Sequence, residues 1–219
     1  MERTLIVKGE GKSSVRPDCI EINLDLLSFN YKYGEAMELS FKRVNSLYTA
    51  LENAGIKKTD VKTISYNVSA KHDSIRDNNG NYTYKFKRYE VSQKLRVSID
   101  LDINYLSRLL SAVAESNTDP KIDLAFTVKD DSIVKEELLR SAAKNAMLNA
   151  SILADASGVE LGDIIKIDYN WSDMVLKSDT LFDCLTSYPK ISASSIDIEP
   201  DEIKVSDSVT FVWEIKGNK

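Results

Sequence analysis

The amino-acid sequence predicts an α+β protein with two β-α-β-β repeats, in which long helices pack on one face of a mostly antiparallel sheet and a short helix links the repeats. Three observations lead to this fold class. Several segments alternate apolar and polar residues, as half-buried strands do. Two long segments instead repeat apolar residues every three or four positions, as amphipathic helices do. The ends of these two helices also have similar sequences.

Four strands show clear alternation. They cover residues 20–26, 95–101, 122–128 and 209–215, where every second residue is a large apolar one. Each such strand has one apolar and one polar face. This pattern favours an antiparallel or mixed sheet with one covered face, because strands that are covered on both faces are apolar throughout.

Three helices are predicted between the strands. One runs from about residue 34 to 54, and a second, rich in alanine, from about 132 to 157, where small side chains allow a close approach to a sheet. A shorter helix at about 103–116 links the repeats. The apolar stripe of the first helix is predicted to consist of Met37, Phe41, Val44, Tyr48 and Leu51.

The two long helices are followed by matching residues. Gly55 aligns with Gly158 and Asp60 with Asp163 without a gap, and the segment ISYN then aligns with IDYN. A glycine in this place commonly adopts the left-handed conformation that ends a helix. We therefore interpret these four residues as structural joints, with each aspartate turning the chain into a strand. The match predicts an internal repeat.

We expect residues 1–219 to form one domain, with repeat units at about 1–102 and 120–216. Its 42% hydrophobic and 29% charged residues are typical of a globular protein. The 29 basic and 34 acidic residues leave a net charge of −5, which argues against a general electrostatic footprint for nucleic acid or anionic membranes.

The first residues contain only a three-residue apolar run, at 5–7, which is too short for the core of a signal peptide. No segment reaches the length of apolar sequence that spans a bilayer. We therefore expect a cytoplasmic protein without membrane association. A periplasmic or cell-surface location would apply only if a native signal peptide precedes these residues.

Several short motifs resemble those of the SIMPL domain family, and the likeness covers nearly the whole chain. The motifs are VKGEGK at 7–12, VRPD at 15–18, AGI at 54–56, DVKT at 60–63, FTVKD at 126–130, GV at 158–159 and LGD at 161–163. None of them is a catalytic signature. The resemblance implies a bacterial protein of unassigned molecular activity. Members of the family are often periplasmic or outer-membrane-associated, some are tied to stress tolerance, and at least one is described as a ring-like homo-oligomer.

Few residues could carry chemistry. His72 is the only histidine, so a catalytic triad or a multi-histidine metal site would need it, and its polar surroundings indicate a solvent-facing side chain. Asp130 and Asp131 are typical of a helix N-terminus. Cys19 and Cys184 lack the spacing of metal or redox motifs. We predict no catalytic, cofactor-binding or metal-binding residues, and no cofactor.

Three connecting segments also need interpretation. The segment GEGK at 9–12 lacks the third glycine of a dinucleotide-binding loop and precedes a strand, so we interpret it as a bulged or tight strand connection. Asn79-Gly80 predicts a hairpin turn. The connection at 172–204 is long and acidic without the spacing of a calcium loop, and loops of this length are commonly functional or mobile.

The hairpin arm at 82–89, with sequence YTYKFKRY, is the segment that most suggests a function. In an extended arm Tyr82, Tyr84 and Phe86 share one face. Tyrosine and phenylalanine are enriched at protein interfaces. We therefore take Tyr82, Tyr84, Phe86 and Tyr89 as the candidate interface of a homo-oligomer.

Three functional hypotheses follow. The first is a non-enzymatic, self-associating protein. The second is a small-ligand-binding protein or enzyme with a pocket between the repeats, where distant carboxylates such as Asp60 and Asp163 would meet. The third is single-stranded nucleic-acid binding through Lys85, Lys87 and Arg88. Strand geometry weakens the third, because it places the lysines and the aromatic residues on opposite faces.

Overall fold

The computed structural model describes residues 3–76, 82–170, 174–180 and 198–217. Its strands pair mainly in antiparallel fashion around three α-helices, so the predicted α+β class is confirmed. The elements are β1 (Thr4–Val15), β2 (Cys19–Asn30), α1 (Tyr33–Asn53), β3 (Lys62–Arg76), β4 (Tyr82–Asp100), α2 (Ile103–Glu115), β5 (Lys121–Thr127), α3 (Ser132–Ser157), β6 (Val159–Asp168) and β7 (Ile203–Gly217).

The elements group into two compact units. The three-stranded unit contains α3 and a sheet of order β1-β7-β6, and the four-stranded unit contains α1, α2 and a sheet of order β3-β4-β2-β5. The strand–helix–strand–strand order does occur twice along the chain. However, β5 lies beside β2 and β1 lies beside β7, so the units do not coincide with the predicted repeats at 1–102 and 120–216. That residues 1–219 act as a single domain stays a prediction.

In the three-stranded unit, α3 lies close against β1. A Cβ atom added at Gly9 would overlap the carbonyl oxygen of Ala142, and one added at Gly11 would overlap that of Leu138. The two glycines therefore make room for the helix backbone. β1 pairs with β7 without a register shift, so the interpretation of residues 9–12 as a bulged or tight connection is wrong.

The outer edge of β1 is covered by the same helix. The backbone N–H of Glu10 donates to Oδ1 of Asn145 at 3.0 Å, and that of Lys12 donates to Oγ of Ser141 at 3.5 Å. An uncovered strand edge presents unpaired backbone groups to other chains. Here helix side chains satisfy two of those groups.

In the four-stranded unit the helices bury one apolar face against the sheet. The described core cluster includes Ile20, Ile22, Leu24, Leu26, Leu95, Val97, Leu47, Leu51, Leu106, Leu109 and Phe126. The buried face of α1 is formed by Ala36, Ser40, Val44, Leu47 and Leu51. The predicted stripe was partly wrong, because Phe41 is 58% exposed. The small residues that face the sheet allow close packing but are not recognised by an apolar pattern.

Both predicted joint glycines have left-handed backbones, with φ of 97° at Gly55 and 67° at Gly158. After α1, the N–H of Ile56 donates to the carbonyl of Leu51 at 2.9 Å, which closes the helix end as expected for this motif. The aspartates are not equivalent, however. Asp60 ends a short 3-10 turn before β3, whereas Asp163 lies inside β6, where the pairing with β7 is irregular.

Candidate functional site: an aromatic ribbon

The hairpin arm extends beyond the sheet of the four-stranded unit. β2 pairs with β4 only as far as the pair Asn30–Tyr89, whereas β3 follows β4 to the pair Arg76–Tyr82. Residues 71–76 and 82–88 therefore form a two-stranded ribbon. Seven residues of strand have a length of about 20 Å. We call this segment the ribbon.

A β-bulge at Lys87 sets which side chains share a face of the ribbon. Lys71 pairs with Arg88 and His72 pairs with Phe86, so Lys87 is an extra residue without a partner position. One extra residue exchanges the two faces of a strand. The bulge therefore brings Tyr89 onto the same face as Phe86, and the two ring centroids are 5.0 Å apart.

Four aromatic residues consequently form a continuous stripe, which we call the aromatic stripe: Tyr82, Tyr84, Phe86 and Tyr89. The two rings nearest the tip are the most exposed: Tyr89 is half-buried and Phe86 is 42% exposed, whereas Tyr84 is 76% and Tyr82 66% exposed. Tyr33, the first residue of α1, contacts Tyr89 edge-to-face at 5.6 Å. The stripe thus continues the core face of β4 beyond the start of the helix.

The opposite face of the ribbon is charged and carries its own counter-charges. Lys87 Nζ lies 2.8 Å from Asp73, and Arg88 lies 2.7 Å from Glu90. The Arg88 guanidinium also lies 4.2 Å from the ring centroid of Phe29. Two of the three bases proposed to contact nucleic acid are therefore paired with acids, on the face away from the aromatic stripe. No observation on these residues favours the nucleic-acid hypothesis.

The other predicted positions have local structural partners. His72 is exposed, and its ring contacts Phe86 edge-to-face at 5.9 Å. Hydrogen bonds from the Ser132 side chain and backbone hold the pKa of Asp130 below its usual value. Asp131 forms an ion pair with Lys135, one helix turn away. Both aspartates thus contact residues of the first turns of α3.

The ligand-pocket hypothesis gains no support from its named carboxylates. Asp60 lies exposed in the four-stranded unit and Asp163 lies exposed in the three-stranded unit. A pocket joining them stays a prediction. Within the described part of the chain, no three or more His, Cys, Asp and Glu residues are placed to hold a metal ion.

Some predicted features lie outside the described residues: Cys184, the turn at Asn79-Gly80, and residues 181–197 of the long connection. Cys19 is buried. At the end of that connection, the Ser14 hydroxyl donates to Glu202 at 2.7 Å, and this hydrogen bond lowers the pKa of the Glu202 carboxyl. Among the described helices, none combines the length and apolar character that a membrane crossing needs.

Comparison with known proteins agrees with the motif-based resemblance. Two relatives share the name 26 kDa periplasmic immunogenic protein, one from Brucella melitensis and one from Brucella abortus. Each is 26% identical over 212 residues, which are 97% of this chain and 84% of the relative. Residues 5–213 match the model of the SIMPL family, described as a protein of unknown function (DUF541). The chain therefore belongs to the SIMPL family, as its sequence motifs predicted.

Proposed function

We propose that this protein is a non-enzymatic, self-associating protein and that the aromatic stripe is its contact surface. The observation that supports the proposal is the exposure of three large aromatic side chains, Tyr82, Tyr84 and Phe86, on one face of a ribbon. Soluble proteins rarely expose contiguous apolar patches unless they bind something there. Aromatic rings suit such contacts, because they bury a large area for few rotatable bonds.

The ribbon is a suitable support for a contact surface. An isolated hairpin is marginally stable, but this one continues strands that are anchored in a four-stranded sheet. Its rings are partly ordered before binding, since Phe86, Tyr89 and Tyr33 contact one another. Groups that are ordered in advance lose less entropy on association.

Light scattering of the purified full chain over a range of concentrations tests the proposal. The wild type is expected to increase in mass with concentration. The variant with Tyr82→Ser, Tyr84→Ser and Phe86→Ser is expected to remain a monomer. The double variant Tyr82→Ser with Tyr84→Ser leaves the contact of Phe86 with Tyr89 intact, and it controls for any loss of ribbon structure.

A matched control changes the opposite face of the same ribbon. Ile75 and Thr83 pair with each other on that face, and Ile75 is 46% exposed. The variant Ile75→Ser with Thr83→Ser should associate as the wild type does. A wild type that remains monomeric at high concentration, or association that survives loss of the aromatic stripe, would contradict the proposal.

We also propose that the protein works in the periplasm. The cytoplasmic prediction came from the short apolar run at 5–7, whereas the name of both Brucella relatives describes those proteins as periplasmic. Fractionation of the native host, followed by detection of the protein in each fraction, is the direct test. Recovery of the protein only in the fractions that contain cytoplasmic markers would support the cytoplasmic prediction instead.

A further inference from the structure

The ribbon is the basic part of an acidic protein. Residues 71–88 contain five basic and two acidic residues, a net charge of +3 within a chain of net charge −5, so the remaining residues carry −8. The basic residues are Lys71, Arg76, Lys85, Lys87 and Arg88. Of these, Arg76 lies on the stripe face, so two stripes in direct contact would bring like charges together, whereas a stripe against acidic side chains of another copy would bring opposite charges together.

The three-stranded unit has an apolar surface that its own helix leaves uncovered. Ile164 lies opposite Trp213 and Ile167 lies opposite Phe211, so both isoleucines point to the face where the core lies. They are nevertheless 46% and 54% exposed. Both side chains stay exposed because α3 packs tightly on β1, which is the opposite edge of the sheet from β6.

A groove runs between the last turns of α3 and the start of β6. It is an open depression of about 500 Å³. Its apolar lining includes Ala154, Val159 and Leu161, and its polar lining includes Asp155 and Glu160. Leu161 shares its face of β6 with Ile164, because they lie opposite Ile215 and Trp213. The exposed lining of the groove is mainly polar and includes these two acids, whereas the exposed apolar surface of this unit is formed by Ile164 and Ile167.

We propose that the aromatic stripe of one copy docks into the α3–β6 groove of a second copy. The inference rests on the proposed function and adds the surface that the stripe contacts. Tyr82 and Tyr84 would cover Ile164 and Ile167. Arg76, which lies on the stripe face with its guanidinium 6.0 Å from the Tyr82 ring, would approach the acidic side of the groove.

The contact is thus heterologous, with different surfaces on the two copies. A groove variant, Asp155→Lys with Glu160→Lys, tests it by placing basic residues where the basic ribbon would bind. Both acids are exposed, so the fold should tolerate the change. We expect the dissociation constant for self-association to rise at least about tenfold, since like charges in a contact cost several kcal/mol.

A matched control makes the same change of charge elsewhere. Glu52→Lys with Glu115→Lys reverses two exposed helix acids of the four-stranded unit and should leave association unchanged. If both double variants weaken association equally, net charge and not the groove is responsible, and the inference is overturned.

Mixing two association-defective variants gives the decisive measurement. The ribbon variant, with Tyr82, Tyr84 and Phe86 changed to Ser, keeps an intact groove, and the groove variant keeps an intact ribbon. A heterologous contact predicts that the equimolar mixture forms a heterodimer by light scattering, although neither variant associates alone. A groove variant that associates as the wild type does would overturn the inference and leave the proposed function standing. A ribbon variant that associates alone would overturn both.

Discussion

The two sheets differ in how far their outer parts are covered by other residues of the chain. At the edge of the three-stranded unit, β1 is covered by α3, and the N–H groups of Glu10 and Lys12 have acceptors on the helix. In the four-stranded unit, β3 and β4 instead leave the sheet as a ribbon and expose aromatic side chains. The proposed self-association would cover these exposed aromatic side chains.

The largest effect is expected where β1 meets α3. Gly11→Ala should destabilise the protein by about 3 kcal/mol or more, because its Cβ would overlap the helix backbone at Leu138 and neither element can shift cheaply. Urea unfolding of the full chain measures the change.

Gly34→Ala is the matched control, since a Cβ there meets no atom within 4 Å and the residue lies in α1. Alanine favours helices over glycine, so this change should be neutral or stabilising by up to about 1 kcal/mol. Equal stability of the two variants would show that α3 does not cover β1 as closely as described.

The next effect concerns the face that the ribbon presents. Insertion of one serine between Lys71 and His72 gives Lys87 a partner position on β3, which removes the bulge and should turn Tyr82, Tyr84 and Phe86 to the charged face with no aromatic residue lost. We expect at least about a tenfold weaker self-association, equivalent to about 1.4 kcal/mol, measured by light scattering.

The substitution Lys87→Ser serves as the control for this insertion. It loses the ion pair with Asp73 but keeps the bulge, so the stripe should keep its face. Normal association by the insertion variant would show that the face of the stripe is irrelevant to the contact.

The elements of the two sheets could be predicted from the sequence to different extents. Alternation at 20–26 and 95–101 identified central strands, and the linking helix was predicted at about 103–116, where Leu106, Leu109 and Val113 are buried, because apolar periodicity reports local burial. The exchange of β1 and β5 between sheets could not be predicted in this way, since the pairing of distant strands leaves no periodic signal. The glycines of β1 also obscured it, because glycine has low strand propensity.

The bulge in the ribbon did have a sequence signal that was overlooked. The aromatic residues occur at 82, 84 and 86 and then at 89, so the last spacing is three instead of two. An interval of three in an otherwise alternating strand is what one inserted residue produces. Simple alternation places only Tyr82, Tyr84 and Phe86 on one face, whereas the structure also shows Tyr89 beside Phe86.

A smaller effect should follow from uncovering part of the β1 edge. Asn145→Ala removes the acceptor of the Glu10 N–H, and this should cost about 0.5–1 kcal/mol of stability, because water can replace the acceptor at this exposed position. Hydrogen exchange at the Glu10 amide should become faster. Lys144→Ala, at the neighbouring exposed position on α3, should change neither quantity. Unchanged exchange in the Asn145 variant would mean that the helix side chain does not protect this edge.

The smallest effect is electrostatic and lies at the other end of β1. The Ser14 hydroxyl, followed by the Arg16 charge, holds the pKa of Glu202 below its usual value. A lowered folded-state pKa stabilises the fold above the usual pKa of glutamate, and this contribution is lost as the pH falls through the folded-state value. Ser14→Ala should raise the pKa of Glu202 towards its usual value in an NMR titration of the carboxyl carbon. Ser13→Ala, whose hydroxyl donates to Glu137, should leave it unchanged. An unshifted pKa in the Ser14 variant would mean that this end of β1 is held by backbone pairing alone.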